Sequence, residues 1–332
     1  MVILQKMTTV TTNIVSMLIV TSLVVCTTAQ QDEDHDCLAC PGLYCGRYDP
    51  NTLNCTTECG ACPRGYRSDS YFCRRCEDEL ELYDWLYIGF MSLTVTVLNL
   101  YAIGALCKRS LIHTRRRMWM LYFAVVCETV VSFVSLILLL TPVGEFRVTT
   151  CRVASIKDWY TVFFNPIVDY RTRQRCTVEA VYPLYTAIFI NLFISFLVMV
   201  LLRGVIIRCS LQNCGRLSFY AGLYVTPAVA TIHAAFAGVL YYIFPYLVLF
   251  LSAVGIAVFL SRLTGGYYRR LREPKNVAVL ICYCLAHGYG IVAVTVMEQP
   301  ERDGPLLLLV LLPFLFYTIT RPYTQADNFK QF

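Results

Sequence analysis

The chain predicts an all-α polytopic membrane protein: about seven transmembrane helices preceded by a small disulfide-rich lumenal domain. Three observations lead there. Of 332 residues, 57% are hydrophobic and 15% charged, a balance outside the range of soluble globular domains. Apolar runs long enough to cross a bilayer recur from residue 85 almost to the end. Eight of the 17 cysteines crowd between Cys37 and Cys76, ahead of the first of those runs. The net charge of +6 calls for no nucleic-acid partner, because basic loops orient membrane proteins.

Residues 1–29 have the form of a secretory signal peptide: an early Lys6, an apolar core over 14–26 and small residues up to Ala29, where cleavage is expected. Residues 30–82 form a cysteine-rich lumenal domain. So short a segment buries too little apolar surface to fold without cross-links, and its cysteines, Cys37, Cys40, Cys45, Cys55, Cys59, Cys62, Cys73 and Cys76, supply them. Two chemistries fit. Cys59-x2-Cys62 and Cys73-x2-Cys76 have the spacing of a tetrahedral zinc site, whereas four disulfides fit the even count. An oxidising lumen favours the disulfides, so no metal or cofactor is expected, and the spacing leaves their connectivity open. Asn54-Cys55-Thr56 is a glycosylation sequon at Asn54, meaningful only on the lumenal side.

Spans are expected at 85–106, 118–140, 181–202, 219–241, 244–263, 277–297 and 306–319, within a transmembrane domain of residues 83–319. The fourth and fifth form one apolar stretch, in which Pro245 and the surrounding aromatics suggest a tight turn. Seven crossings from a lumenal start leave a cytosolic tail at 320–332. Charge agrees with that orientation: the predicted cytosolic segments hold fifteen Lys and Arg, Arg203 among them, and the lumenal loops seven.

The lumenal loop at 141–180 holds Cys151 and Cys176, a pair suited to one bridge that pins the loop over the bundle. Between them, Asp158-Trp159-Tyr160 reads as an amphipathic segment at the membrane surface. Glu128, His233 and His287 lie inside spans, where ionisable side chains are costly. Three scattered groups point to interhelical hydrogen bonds more than to a proton relay. Cys107, Cys209 and Cys214 near cytosolic membrane ends are candidate palmitate acceptors. There is no GxSxG elbow, HExxH helix or phosphate-cradling loop, so no enzymatic activity is expected.

Several strings carry a resemblance: PGLYCG at 41–46, CGACPRG at 59–65, ELYDWLYIGFM at 81–91, CRV at 151–153, DWYT at 158–161, EAVYPLYT at 179–186 and LYYIFPY at 240–246. In this order they resemble the c-Jun N-terminal kinase-associated membrane proteins, over most of 37–322. The resemblance implies a seven-span protein of the endoplasmic reticulum membrane that acts as a non-enzymatic adaptor in endoplasmic-reticulum-associated degradation and the unfolded-protein response. Membrane lipid is the partner the spans themselves require, and the resemblance adds ubiquitin ligases, proteasome subunits and a stress-activated kinase. It assigns no catalytic residues. The alternative is a cell-surface receptor with a cysteine-rich ectodomain, but Leu202-Arg203-Gly204 stands where the Asp-Arg-Tyr triplet of many such receptors would be, and the last span lacks Asn-Pro-x-x-Tyr.

Overall fold

The computed structural model describes residues 38–48, 55, 57–109, 115–140, 142–145, 147–164, 176, 179–209, 212–263 and 267–324. The expected signal peptide, Cys37 and Asn54 lie outside them.

The described residues of the cysteine-rich head form short strands: β1 (Cys45–Gly46) pairs with β2 (Gly60–Ala61), and β3 (Tyr66–Ser68) with β4 (Cys73–Arg75), both antiparallel. A third pair leaves the head, since β5 (Asp78–Glu79) pairs antiparallel with β6 (Thr149–Thr150) of the long loop. The disulfides follow the same division. Cys40–Cys59 and Cys62–Cys73 close within the head, whereas Cys45–Cys176 and Cys76–Cys151 tie it to the loop. Cys55 is also disulfide-bonded.

This connectivity replaces the expected Cys151–Cys176 bridge. The loop lies across the head, so each of its cysteines meets a head thiol, with Cα–Cα distances of 5.0 Å for Cys76–Cys151 and 5.1 Å for Cys45–Cys176. The cysteines whose spacing admits zinc, Cys59, Cys62, Cys73 and Cys76, are each consumed by a bridge. The two head-to-loop bridges span sequence separations of 131 and 75 residues. In the chain-entropy account, closures of that length stabilise by about 4–5 kcal/mol each.

Beyond the head the described residues are mainly helical. The long elements are α1 (Leu82–Arg109), α2 (Arg115–Leu139), α3 (Leu184–Cys209), α4 (Gln212–Ser261) and α5 (Pro274–Thr295). The last helical run comprises Pro300–Asp303, a 3-10 stretch at Gly304–Leu311 and α6 (Leu312–Thr324). Six helical segments among the described residues are long and apolar enough to cross a membrane. The fourth covers 219–241 and all but the last two residues of 244–263, the stretches expected as separate spans. It is 50 residues long, roughly 75 Å if straight and more than twice a hydrocarbon core of about 30 Å, and it joins two helical arms across a bend. Its break is at Phe236 (φ −122°, ψ 18°) and not at Pro245, which the helix contains.

The two arms of α4 pack differently. Ser218, in the first arm, lies where α1, α2 and α3 meet, and both His233 and Ala237 reach Tyr87 of α1. The second arm returns along α5, with Leu249 against Gly290 and Ser252 Oγ 2.8 Å from His287 Nδ1. Gly255 gives Tyr283 room, because a Cβ there would overlap the tyrosine ring. The largest core cluster lies at the head end of the bundle, where Tyr87, Ile88, Trp159, Leu184, Ile188, Tyr241 and Phe244 are buried together.

Candidate functional site at the head end of the bundle

The bend of α4 sets the problem this site solves. Around a break in the helical ladder backbone carbonyls lose their partners, and Pro245, having no N–H, leaves the Tyr241 carbonyl without its donor four residues on. Unsatisfied carbonyls are costly in a membrane. Four tyrosines from three other elements answer them. Tyr185 donates to Ala234 O at 3.3 Å, Tyr160 to Ala235 O at 3.4 Å, Tyr87 to Ala237 O at 3.1 Å and Tyr83 to Tyr241 O at 2.7 Å. These donors come from the start of α1, the start of α3 and the 3-10 helix Ile156–Phe164 of the loop.

The acceptors and donors fall in the strings ELYDWLYIGFM, DWYT, EAVYPLYT and LYYIFPY or just before the last of them. The aromatic-rich segments scattered along the chain therefore meet at one place. Tyr241 donates in turn to Asp84 Oδ1 at 2.7 Å, and His233 Nε2 donates to Tyr185 O at 3.3 Å. Rings fill the space between: Trp159 packs on Tyr87 and Tyr241 with centroids 5.9 and 5.1 Å away, and Phe244 lies beside Tyr83, Tyr87 and Phe90. Gly238 is required here. A Cβ would stand 2.8 Å from Trp159 Cβ, so the loop could not lie this close to the helix.

Asp158 joins this junction to the head. Its carboxylate, 3% exposed, accepts from Tyr44 Oη at 2.9 Å, Arg67 Nη2 at 3.2 Å and the backbone N–H groups of Ala154 and Ser155 at 2.8 and 2.9 Å. Arg67 also donates to the Arg152 carbonyl. Burial, and then the Asp158 hydrogen bond and charge, push the Tyr44 hydroxyl well above the ordinary tyrosine range. The amphipathic segment expected at the membrane surface turns one side inward. Asp158, Trp159 and Thr161 are buried between head and bundle, while Ile156, Val162 and Phe163 face outward.

A second polar cluster lies deeper in the bundle. Glu128 of α2 pairs with Arg203 of α3 through two hydrogen bonds, Nε to Oε1 at 2.8 Å and Nη2 to Oε2 at 2.6 Å. Arg203 also donates to Ser218 O and Oγ of α4 at 2.7 and 3.2 Å, and to Asn99 Oδ1 of α1 at 3.1 Å. All four side chains are buried, the arginine completely. Arg203, counted among the cytosolic loop charges, is thus an interior residue. Its sequence signal is the apolar run Val205-Ile206-Ile207 after it, which extends the helix beyond residue 202.

The polar residues expected inside spans are thus brought into separate contacts. Glu128 meets Arg203, His233 lies among Tyr87, Tyr185 and Phe189, and His287 meets Ser252. Each contact joins different helices. Among the described residues, no group of three or more His, Cys, Asp or Glu side chains is placed to hold a metal ion.

The family model described as JNK1/MAPK8-associated membrane protein matches residues 40–326. Mouse and human proteins of that name are each 37% identical over 303 residues, covering 87% of this chain and 95% of theirs. A Caenorhabditis elegans homolog is 30% identical over 279 residues, 82% of this chain and 85% of its own. No solved structure matches the chain.

Proposed function

Because the chain belongs to the JNK1/MAPK8-associated membrane protein family, we propose that it is a non-enzymatic adaptor of the endoplasmic reticulum membrane. In this role it links misfolded proteins to ubiquitin ligases and the proteasome. The observation that carries this reading is the rigid union of head and bundle. Two disulfides, the β5–β6 pair and the Asp158 cluster fix the head onto the helices. A surface presented on one side of the membrane is thereby held in fixed register with loops on the other, as an adaptor spanning the two compartments requires.

Disulfides persist in oxidising compartments, which supports a lumenal head and a cytosolic far end. Exposed basic side chains at that far end, Arg208, Arg216, Arg269 and Arg270 among them, support a cytosolic docking role. A stress-activated kinase is a further proposed partner, on the strength of the relatives' name.

The test is isolation of the full chain from its native cells in mild detergent, with ubiquitin ligase and proteasome subunits scored in the eluate. Parallel digestion with endoglycosidase H reports the Asn54 glycan. Co-isolation of those subunits with a fully sensitive glycan is expected. A resistant glycan with no degradation machinery in the eluate contradicts the proposal.

A further inference from the structure

Between the second arm of α4 and the start of α5 lie Arg262, Arg269, Arg270, Arg272 and Lys275, with Glu273 the one acid among them. All five cations are exposed, and none forms an ion pair among the described residues. Their depth follows from the helix. Tyr241 and Ser261 are separated by about 30 Å of rise at 1.5 Å per residue. That is roughly one hydrocarbon thickness, so the cluster lies at the membrane face opposite the head.

A turn that only connected two spans could sway freely. This one is held down. The short helix Tyr267–Leu271 buries Tyr267, and Leu263 just before it is buried as well. Tyr267 Oη lies 3.0 Å from Thr318 Oγ1 of α6. The Arg321 guanidinium sits 3.9 Å from the centre of the Tyr267 ring and donates to Leu263 O. Asn276 Nδ2 donates to Arg270 O at 2.7 Å, tying the end of the short helix to the first turn of α5. Arg321 is thus spent on anchoring, which leaves the other cations free. Beside them Tyr268 is 70% exposed, a residue type suited to the level of lipid headgroups.

We propose that this anchored basic turn is a binding site for the phosphate of anionic phospholipid headgroups, read by Arg269, Arg270 and Arg272 with Arg262 and Lys275 at its margins. Cations held at headgroup level against an anionic leaflet gain most from phosphate, because guanidinium offers paired donors to its oxygens. The anchoring keeps the side chains within a Debye length of the surface, where the attraction is unscreened. An acidic protein segment is the competing occupant, and the geometry favours lipid because the turn is tied to the ends of two spans.

The full chain, purified in neutral detergent, is titrated with fluorescent short-chain phosphatidylinositol bisphosphate and read by anisotropy, with short-chain phosphatidylcholine as control. Each cation near an anionic surface strengthens binding roughly fivefold. The triple variant Arg269→Gln/Arg270→Gln/Arg272→Gln is therefore expected to bind about a hundredfold more weakly. The same three positions changed to Lys should stay within a few-fold of the parent. If the triple Gln protein fails to fold, Arg269→Gln and Arg272→Gln singly carry the test, at about fivefold each.

Equal affinity of the Gln variants and the parent overturns the proposal, as does equal binding of phosphatidylcholine. Displacement of the lipid by an equal concentration of inorganic phosphate would mark a free-anion site instead. Binding of polyglutamate without lipid binding would assign the turn to an acidic polypeptide.

Discussion

Arg203→Met removes five hydrogen bonds at once: two to Glu128, two to Ser218 and one to Asn99. The damage exceeds their sum, because the Glu128 carboxylate is left 3% exposed with its counter-charge gone. Removing one partner of a buried ion pair costs about 3–5 kcal/mol, whereas replacing both by apolar groups of similar volume is near neutral. Glu128→Gln strands the guanidinium in the same way and falls in the same range of about 3–5 kcal/mol. The double variant Glu128→Met/Arg203→Met strands neither charge. Thermal unfolding of the full chain in detergent, followed by exposure of the partly buried Cys127 and Cys284 to a thiol-reactive dye, reads the difference. At about 2–4 °C per kcal/mol, each single variant should melt roughly 10 °C below the parent, with the double recovering most of the loss. Single variants melting with the parent, or a double variant as unstable as the two losses added, would refute an interior ion pair that joins four helices.

The disulfide pattern predicts the behaviour of a chain cut within 110–114 by an engineered protease site. Both head-to-loop bridges cross that cut, so the two fragments should migrate as one species until reductant is added. Separation without reductant would mean that Cys151 and Cys176 pair with each other. Acid should loosen the head partly through Asp69. Burial pushes its carboxyl up, but the Phe72 and Tyr71 N–H groups and the Arg74 guanidinium outweigh that and hold it below the usual carboxylate range. Its contribution to stability is therefore present above the unfolded value of about 3.9 and is lost as pH falls through the lower folded value. Asp69→Asn should destabilise the head at neutral pH and flatten its acid-unfolding limb, as measured by limited proteolysis across pH; an unchanged limb would count against this assignment. Gly238→Ala should cost about 1–3 kcal/mol by overpacking against Trp159, with faster hydrogen exchange in 156–164. Unaltered exchange there would show that the loop does not rest on the bend.

Much of this architecture is legible in the residues, and the parts that are not share a physical cause. Composition and run length reveal the membrane helices, because burying the backbone in lipid constrains every position of a span. The head is legible from cysteine density. Its pairing is not, since Cys45 and Cys176 are 131 residues apart and only the folded loop brings them together. Pro245 suggested the turn in the long apolar stretch, yet the helix runs through it because Tyr83 satisfies the Tyr241 carbonyl that the proline leaves free. The bend falls at Phe236, which has no breaker signature, because tyrosines distant in sequence supply the donors that stabilise it. Glu128 stood out as a charge inside a span, whereas Arg203 was hidden at the edge of an apolar window and became visible only with its partner.

The role proposed above is that of an adaptor linking misfolded proteins of the endoplasmic reticulum to degradation. The most direct measurement is a pulse-chase of a misfolded membrane client in cells lacking the chain, restored with the parent or with the Arg203→Met variant. Slower client turnover without the chain, recovered by the parent and not by the destabilised variant, is the predicted result. Client turnover that is the same with and without the chain would rule out the proposed adaptor role.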